Sequence, residues 1–89
     1  MAEIHVEAVG DDTYRVRVAD GPASSEHEVR ATEAQLRRYG GDSAERLIEA
    51  SFEFLLEREP LGSILPRFEL PVIERYFPEY PRVIRERLG

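Results

Sequence analysis

DSAERLIEASFEFLLERE (residues 42–59) is the one stretch of the chain long and periodic enough to be read as a helix without help from its neighbours. At about 100° per residue, Ala44, Leu47, Ile48, Ser51, Phe52, Phe54 and Leu55 fall on a single arc, with Leu56 at one edge and Ala50 towards the other. A surface helix carries an apolar stripe of roughly 100° or a little more. This stripe is wider, so two layers are expected to cover it. Asp42 followed by Glu45 reads as a capping box, in which each side chain satisfies an amide of the first turn. Pro60 ends the helix, because the residue before a proline is pushed out of the α region.

The narrow remaining face carries Glu45, Glu49, Glu53 and Glu57, four like charges at i,i+4 spacing. Each neighbouring pair costs roughly 0.2–0.5 kcal/mol, which Arg46 and Arg58 offset in part. The row is either a docking stripe, for a basic partner or for the chain's own C-terminal arginines, or a solvated face on a helix held by its packing.

Outward from this helix the chain is short. Its 89 residues suffice for one domain with a modest core and too little wall for a deep cleft. With no cysteine there is no disulfide framework, thiolate metal site or cysteine nucleophile. No apolar run reaches membrane length and no basic-then-apolar leader opens the chain, which predicts a cytoplasmic protein with no membrane partner. The formal charge of −6 opposes non-specific nucleic-acid binding. All twelve basic residues are arginine. Residues 67–89 hold four acidic and five basic groups, against fourteen and seven in residues 1–66, so the only locally basic segment is C-terminal.

Before the helix, Ile4, Val6 and Ala8 alternate with Glu3, His5 and Glu7, and Tyr14, Val16 and Val18 alternate with Thr13, Arg15 and Arg17. Both are period-2 strands, joined by a turn at Gly10-Asp11-Asp12. Keeping both apolar sets on one face requires paired residue numbers with an even sum, as when Ala8 faces Tyr14. A third strand is expected over about residues 25–31, after the turn Asp20-Gly21-Pro22. It sets Glu26 against Arg17 and Glu28 against Arg15, with Glu7 also opposite Arg15. In that register His5 points to the charged face and His27 to the apolar face. They cannot share a metal, and His27 reads as a hydrogen-bonded residue of the core edge. Thr32 with Gln35 forms a second capping box opening a short helix, which Gly40-Gly41 closes.

Beyond the helix, five of the six prolines punctuate the chain: Pro60, Pro66, Pro71, Pro78 and Pro81. They forbid a helix longer than about two turns between them. Pro71 and Pro81 suit a first helical position, giving short helices near residues 71–77 and 82–88, and Ser63 is placed to cap a further turn. The apolar density here is too high for a disordered tail, so most of it should cover the second side of the central helix. Phe68 and Phe77 read as core. Tyr76 and Tyr80, with Arg75 and Arg82, read as exposed contact residues, since tyrosine and arginine are favoured at interfaces.

The expected fold is α+β in a single domain of residues 1–89: a three-stranded antiparallel meander (residues 1–31), a short helix and Gly-Gly turn (32–41), a long central helix (42–59) and short proline-bounded helices (60–89).

The run from Ser51-Phe52-Glu53-Phe54-Leu55-Leu56-Glu57-Arg58-Glu59-Pro60 to Arg75-Tyr76-Phe77-Pro78-Glu79-Tyr80 resembles a signature of short, uncharacterised bacterial proteins. The resemblance covers residues 51–80 well and the hairpin half loosely. It implies a bacterial cytoplasmic origin and brings no activity, ligand or catalytic residue with it.

No phosphate-cradling glycine loop, nucleophile elbow, metal-ligand pair or Schiff-base lysine is present, so neither an enzyme nor a cofactor is expected. The glutamate row lies on one helix, whereas carboxylate metal sites draw ligands from several elements or a loop. The expectation is a non-enzymatic protein–protein interaction or adaptor module. Its candidate contacts are Glu45, Glu49, Glu53, Glu57, Arg75, Tyr76, Tyr80 and Arg82. A homodimer is expected through the edge strand at residues 3–9. The alternatives are a regulatory nucleic-acid-associated protein using the C-terminal arginines, or a small-ligand binder.

Overall fold

The computed structural model describes residues 2–89. Strands β1 (Glu3–Gly10), β2 (Thr13–Asp20) and β3 (Ala23–Arg30) form the antiparallel meander read from the alternation. The register has the even sum that parity requires, with Ala8 opposite Tyr14 and Val6 opposite Val16. Val9 is left unpaired in a bulge between Ala8 and Gly10, and the turn narrows to Asp11-Asp12. Its left-handed position falls on Asp12 (φ 56°), a residue type that tolerates that region better than most. On the wet face Arg15 reaches Glu7 at 3.6 Å, but its second partner is the diagonal Glu26 at 3.5 Å rather than the directly opposite Glu28. Arg17 shares Glu26 at 3.4 Å.

The sheet is not a three-stranded meander. A fourth strand, β4 (Arg67–Glu69), lies parallel to β3 and gives a mixed sheet of order β1-β2-β3-β4. A strand of three residues is too short to show a period, which is why β4 escapes a reading by alternation. What places it is tertiary: the Glu28 amide donates to the Pro66 carbonyl at 2.8 Å and the Leu70 amide to the Arg30 carbonyl at 3.3 Å. Strand β3 is therefore covered, and β1 keeps an open edge.

Helix α1 (Glu33–Tyr39) starts at the Thr32/Gln35 capping box as expected, and the chain turns through Gly40 (φ 92°) and Gly41 (φ 106°). Helix α2 (Ala44–Arg58) has fifteen residues, an ordinary length rather than a long one. Its cap is Ser43, whose hydroxyl accepts from the Arg46 amide at 3.2 Å, so the box expected at Asp42 and Glu45 does not form. Pro60 ends it as predicted, holding Glu59 in extended backbone. Ser63 caps nothing; it closes a single 3-10 turn, Leu61–Ser63. Helices α3 (Pro71–Tyr76) and α4 (Tyr80–Leu88) follow, with Pro71 opening α3 but Pro81 second in α4.

The wide apolar arc of α2 is covered from two sides. Phe52 and Phe54 are about 200° apart around the helix and both fully buried. Phe52 meets His27 of β3 at 5.2 Å and Phe68 of β4 at 5.9 Å between ring centres. Phe54 meets Phe77 at 5.9 Å and Tyr80 at 5.3 Å. Burial of each ring is worth roughly 2–3 kcal/mol, so α2 is held by both layers rather than by its surface charges. No helix among the described residues is long and apolar enough to cross a membrane.

Candidate functional site

Where β4 and α3 fold back on the C-terminal end of α2, they leave a cleft of about 170 Å³. Helix α2 contributes Leu55, and Glu59 lines the cleft from just beyond its end. Ser63, Ile64 and Leu65, Phe68 of β4, and the segment Val72, Ile73, Tyr76 and Phe77 complete the lining. Two residues stand out on its lining: Tyr76 is 67% exposed and Leu65 43% exposed, the only large apolar side chains so exposed among the described residues apart from Val9.

Partly buried hydrogen bonds from β3 position that rim. The Leu65 carbonyl, 2.7 Å from His27 Nδ1, can only accept, so Nδ1 carries the proton. Ser25 Oγ lies 2.6 Å from Nε2 on the ring's other side and donates to it in the neutral imidazole. Since the next carbonyl, of Pro66, is also held by β3, Leu65 is fixed at its backbone while its side chain projects.

Glu59 is the only carboxylate in the lining, and burial alone pushes its pKa above the ordinary 4.5. Among the described residues, no ion pair involves Glu59, and none involves Glu45, Glu53 or Arg75.

The residues singled out from sequence are scattered. Tyr76 sits on the rim of the cleft, with exposed Arg75 beside it in α3. Tyr80 was expected to be exposed and is fully buried, because its hydroxyl has a partner inside the fold, Ser51 at 2.6 Å. Arg82 is exposed and pairs within α4 to Glu86 at 3.4 Å. The glutamate row is divided. Glu49 pairs with Arg46 at 3.2 Å, and Glu57 takes both Arg58 at 3.3 Å and Arg87 of α4. That second contact is the intramolecular version of the docking stripe, and it holds the Glu57 carboxyl below its ordinary value. Glu45 and Glu53 stay exposed.

The basic cluster is also largely engaged. Arg85 donates to the Arg38 carbonyl at 2.8 Å and 3.1 Å, and Arg87 goes to Glu57. His5 is exposed among Glu7, Arg15 and Arg17 on the opposite face of the sheet from His27.

Phe68 was read as core and does pack against it while also lining the cleft, whereas Leu65, Val72 and Glu59 were not singled out as contact residues. The available signal was Pro60, which forces Glu59 into extended backbone, out of the helix that carries the glutamate row. No family model matches the chain, and neither does any curated protein or solved structure.

Proposed function

We propose that this chain is a non-enzymatic protein-interaction module that docks a partner segment in the cleft between α2 and α3. One observation carries this reading: Leu65 and Tyr76 stand exposed on the rim of an apolar cleft in a chain that buries its other aromatic rings wholly or in part. The size supports docking of a side chain. Small-molecule sites run to roughly 300–1,000 Å³, whereas about 170 Å³ suits a single anchoring group of the kind that dominates interfaces.

The test is capture from lysate of the native host by the tagged full chain, beside a Leu65→Ala/Tyr76→Ala variant. A stoichiometric partner lost in that variant supports the reading. Equal capture by both overturns it, and loss only with Glu49→Arg/Glu53→Arg moves the site to the glutamate row. The nucleic-acid alternative has less to work with, since Arg82, Arg85 and Arg87 all have acceptors within the chain.

A second reading, a homodimer across β1, is favoured by one feature of the sheet. Strand β1 is an open edge of eight residues with neither proline nor lysine to blunt it. An antiparallel pairing with an even residue sum keeps Ile4 and Val6 of both copies on the helix-covered face. A mass in light scattering that stays monomeric at every concentration refutes the dimer.

A further inference from the structure

We propose that the segment docked in the cleft presents an apolar side chain flanked by a basic residue, whose cation pairs with the Glu59 carboxylate. This rests on the cleft being the docking face and adds the chemistry of what enters it.

Charge complementarity carries the inference. Glu59 lines a cleft whose other contributors are apolar apart from Ser63 and the Tyr76 hydroxyl, and no arginine or histidine is among them. It has no ion-pair partner among the described residues, whereas Glu57, two positions earlier, has two. A half-buried carboxylate without a cation loses hydration and regains nothing. The upward displacement of its pKa by burial is the same imbalance seen from the proton's side. An incoming guanidinium or ammonium corrects it, while the apolar anchor covers Leu65, Phe68 and Val72. An acidic segment meets repulsion from the same carboxylate. The cleft thus selects by sign as well as by shape.

The probes are three capped tripeptides with a central leucine, flanked by arginine, glutamine or glutamate, titrated into the ¹⁵N-labelled full chain. The expected result is that the arginine peptide shifts the amides of Leu65, Val72 and Tyr76 and binds about three- to fivefold tighter than the glutamine peptide, with the glutamate peptide weakest. In Glu59→Gln, which keeps the side-chain shape, the arginine and glutamine peptides should bind equally. If they already bind equally to the wild type, or if the arginine preference survives in Glu59→Gln, the charge assignment is overturned and the docking cleft stands. If no peptide moves those amides at millimolar concentration, both fall. If the same amides shift with protein concentration alone, the occupant is a second copy of this chain.

Discussion

The Tyr80 hydroxyl lies 2.6 Å from Ser51 Oγ in the fully buried seam between α2 and α4. Ser51 also lies 2.7 Å from the Leu47 carbonyl, which can only accept, so the single serine proton goes there and Tyr80 is the donor to Ser51. Burial raises the Tyr80 pKa above its ordinary value and keeps the phenol protonated for that role. Removal of the two partners should therefore be unequal. Tyr80→Phe leaves Ser51 still bonded to Leu47 and should cost about 1 kcal/mol, whereas Ser51→Ala strands a buried hydroxyl and should cost about 1–3 kcal/mol. The double variant should fall short of the sum, as urea unfolding of all four proteins would reveal.

Tyr76 and Tyr80 are four residues apart and should respond to truncation in opposite ways. Tyr76→Ala removes a ring that is 67% exposed and should change stability by no more than about 0.5 kcal/mol. Tyr80→Ala empties a site packed against Tyr39 at 5.0 Å and Phe54 at 5.3 Å and should cost about 3–5 kcal/mol. Thermal unfolding of the two variants measures the contrast; a large loss in Tyr76→Ala would mean the ring belongs to the core.

Glu74 joins α3 to α1. It accepts from the Tyr39 hydroxyl and from Arg38 at 2.9 Å, and Arg85 lies near enough to add to the field. The Tyr39 hydroxyl chiefly, then Arg38, holds its carboxyl below the ordinary 4.5, while burial and Glu74 push Tyr39 up to about 12. A carboxyl depressed in the folded state adds stability that is complete above its unfolded value and is lost as pH falls through the folded one. Glu74→Gln should therefore be less stable than wild type at neutral pH, with the gap closing only as pH falls below 4.5 and through the depressed folded value. Melting midpoints from pH 7 to pH 3 test this; a constant gap would refute it.

His27 should appear in ¹⁵N spectra as the Nδ1–H tautomer, because Leu65 offers Nδ1 only a carbonyl. His27→Leu removes that tether and leaves β4 with its ladder contacts alone. Exchange of the Glu28 and Leu70 amides, which bridge β3 to the β4 segment, should quicken about tenfold while the amides between β1 and β2 stay protected. Uniform acceleration across the sheet would point to global loss of stability instead.

Gly41 adopts φ 106°, and a Cβ there would meet Leu88 Cδ1 at 3.2 Å. Gly41→Ala should accordingly destabilise the chain by about 1–2 kcal/mol, read from the shift of the urea midpoint at unchanged slope.

What the sequence determined by itself is whatever local periodicity and local chemistry decide. Alternation placed β1 and β2, and parity narrowed their register to even sums, which Ala8 opposite Tyr14 satisfies. Thr32 with Gln35 opened α1, and Pro60 ended α2. The width of the α2 arc announced two covering layers, which Phe52 and Phe54 divide between them. What only the tertiary structure decided depends on partners far apart in the chain. Strand β4 is too short to carry a period and exists because β3 supplies amides, carbonyls and the His27 tether. Tyr76 and Tyr80 are chemically identical in the sequence, and only the fold gives one ring Tyr39, Phe54 and the Ser51 hydroxyl as buried neighbours and leaves the other at the cleft. Glu59 reads only as the residue at which Pro60 stops the helix, and it is α3 that places it in the lining of a cleft. That no ion pair among the described residues involves it is a property of distances in space, on which sequence spacing is silent.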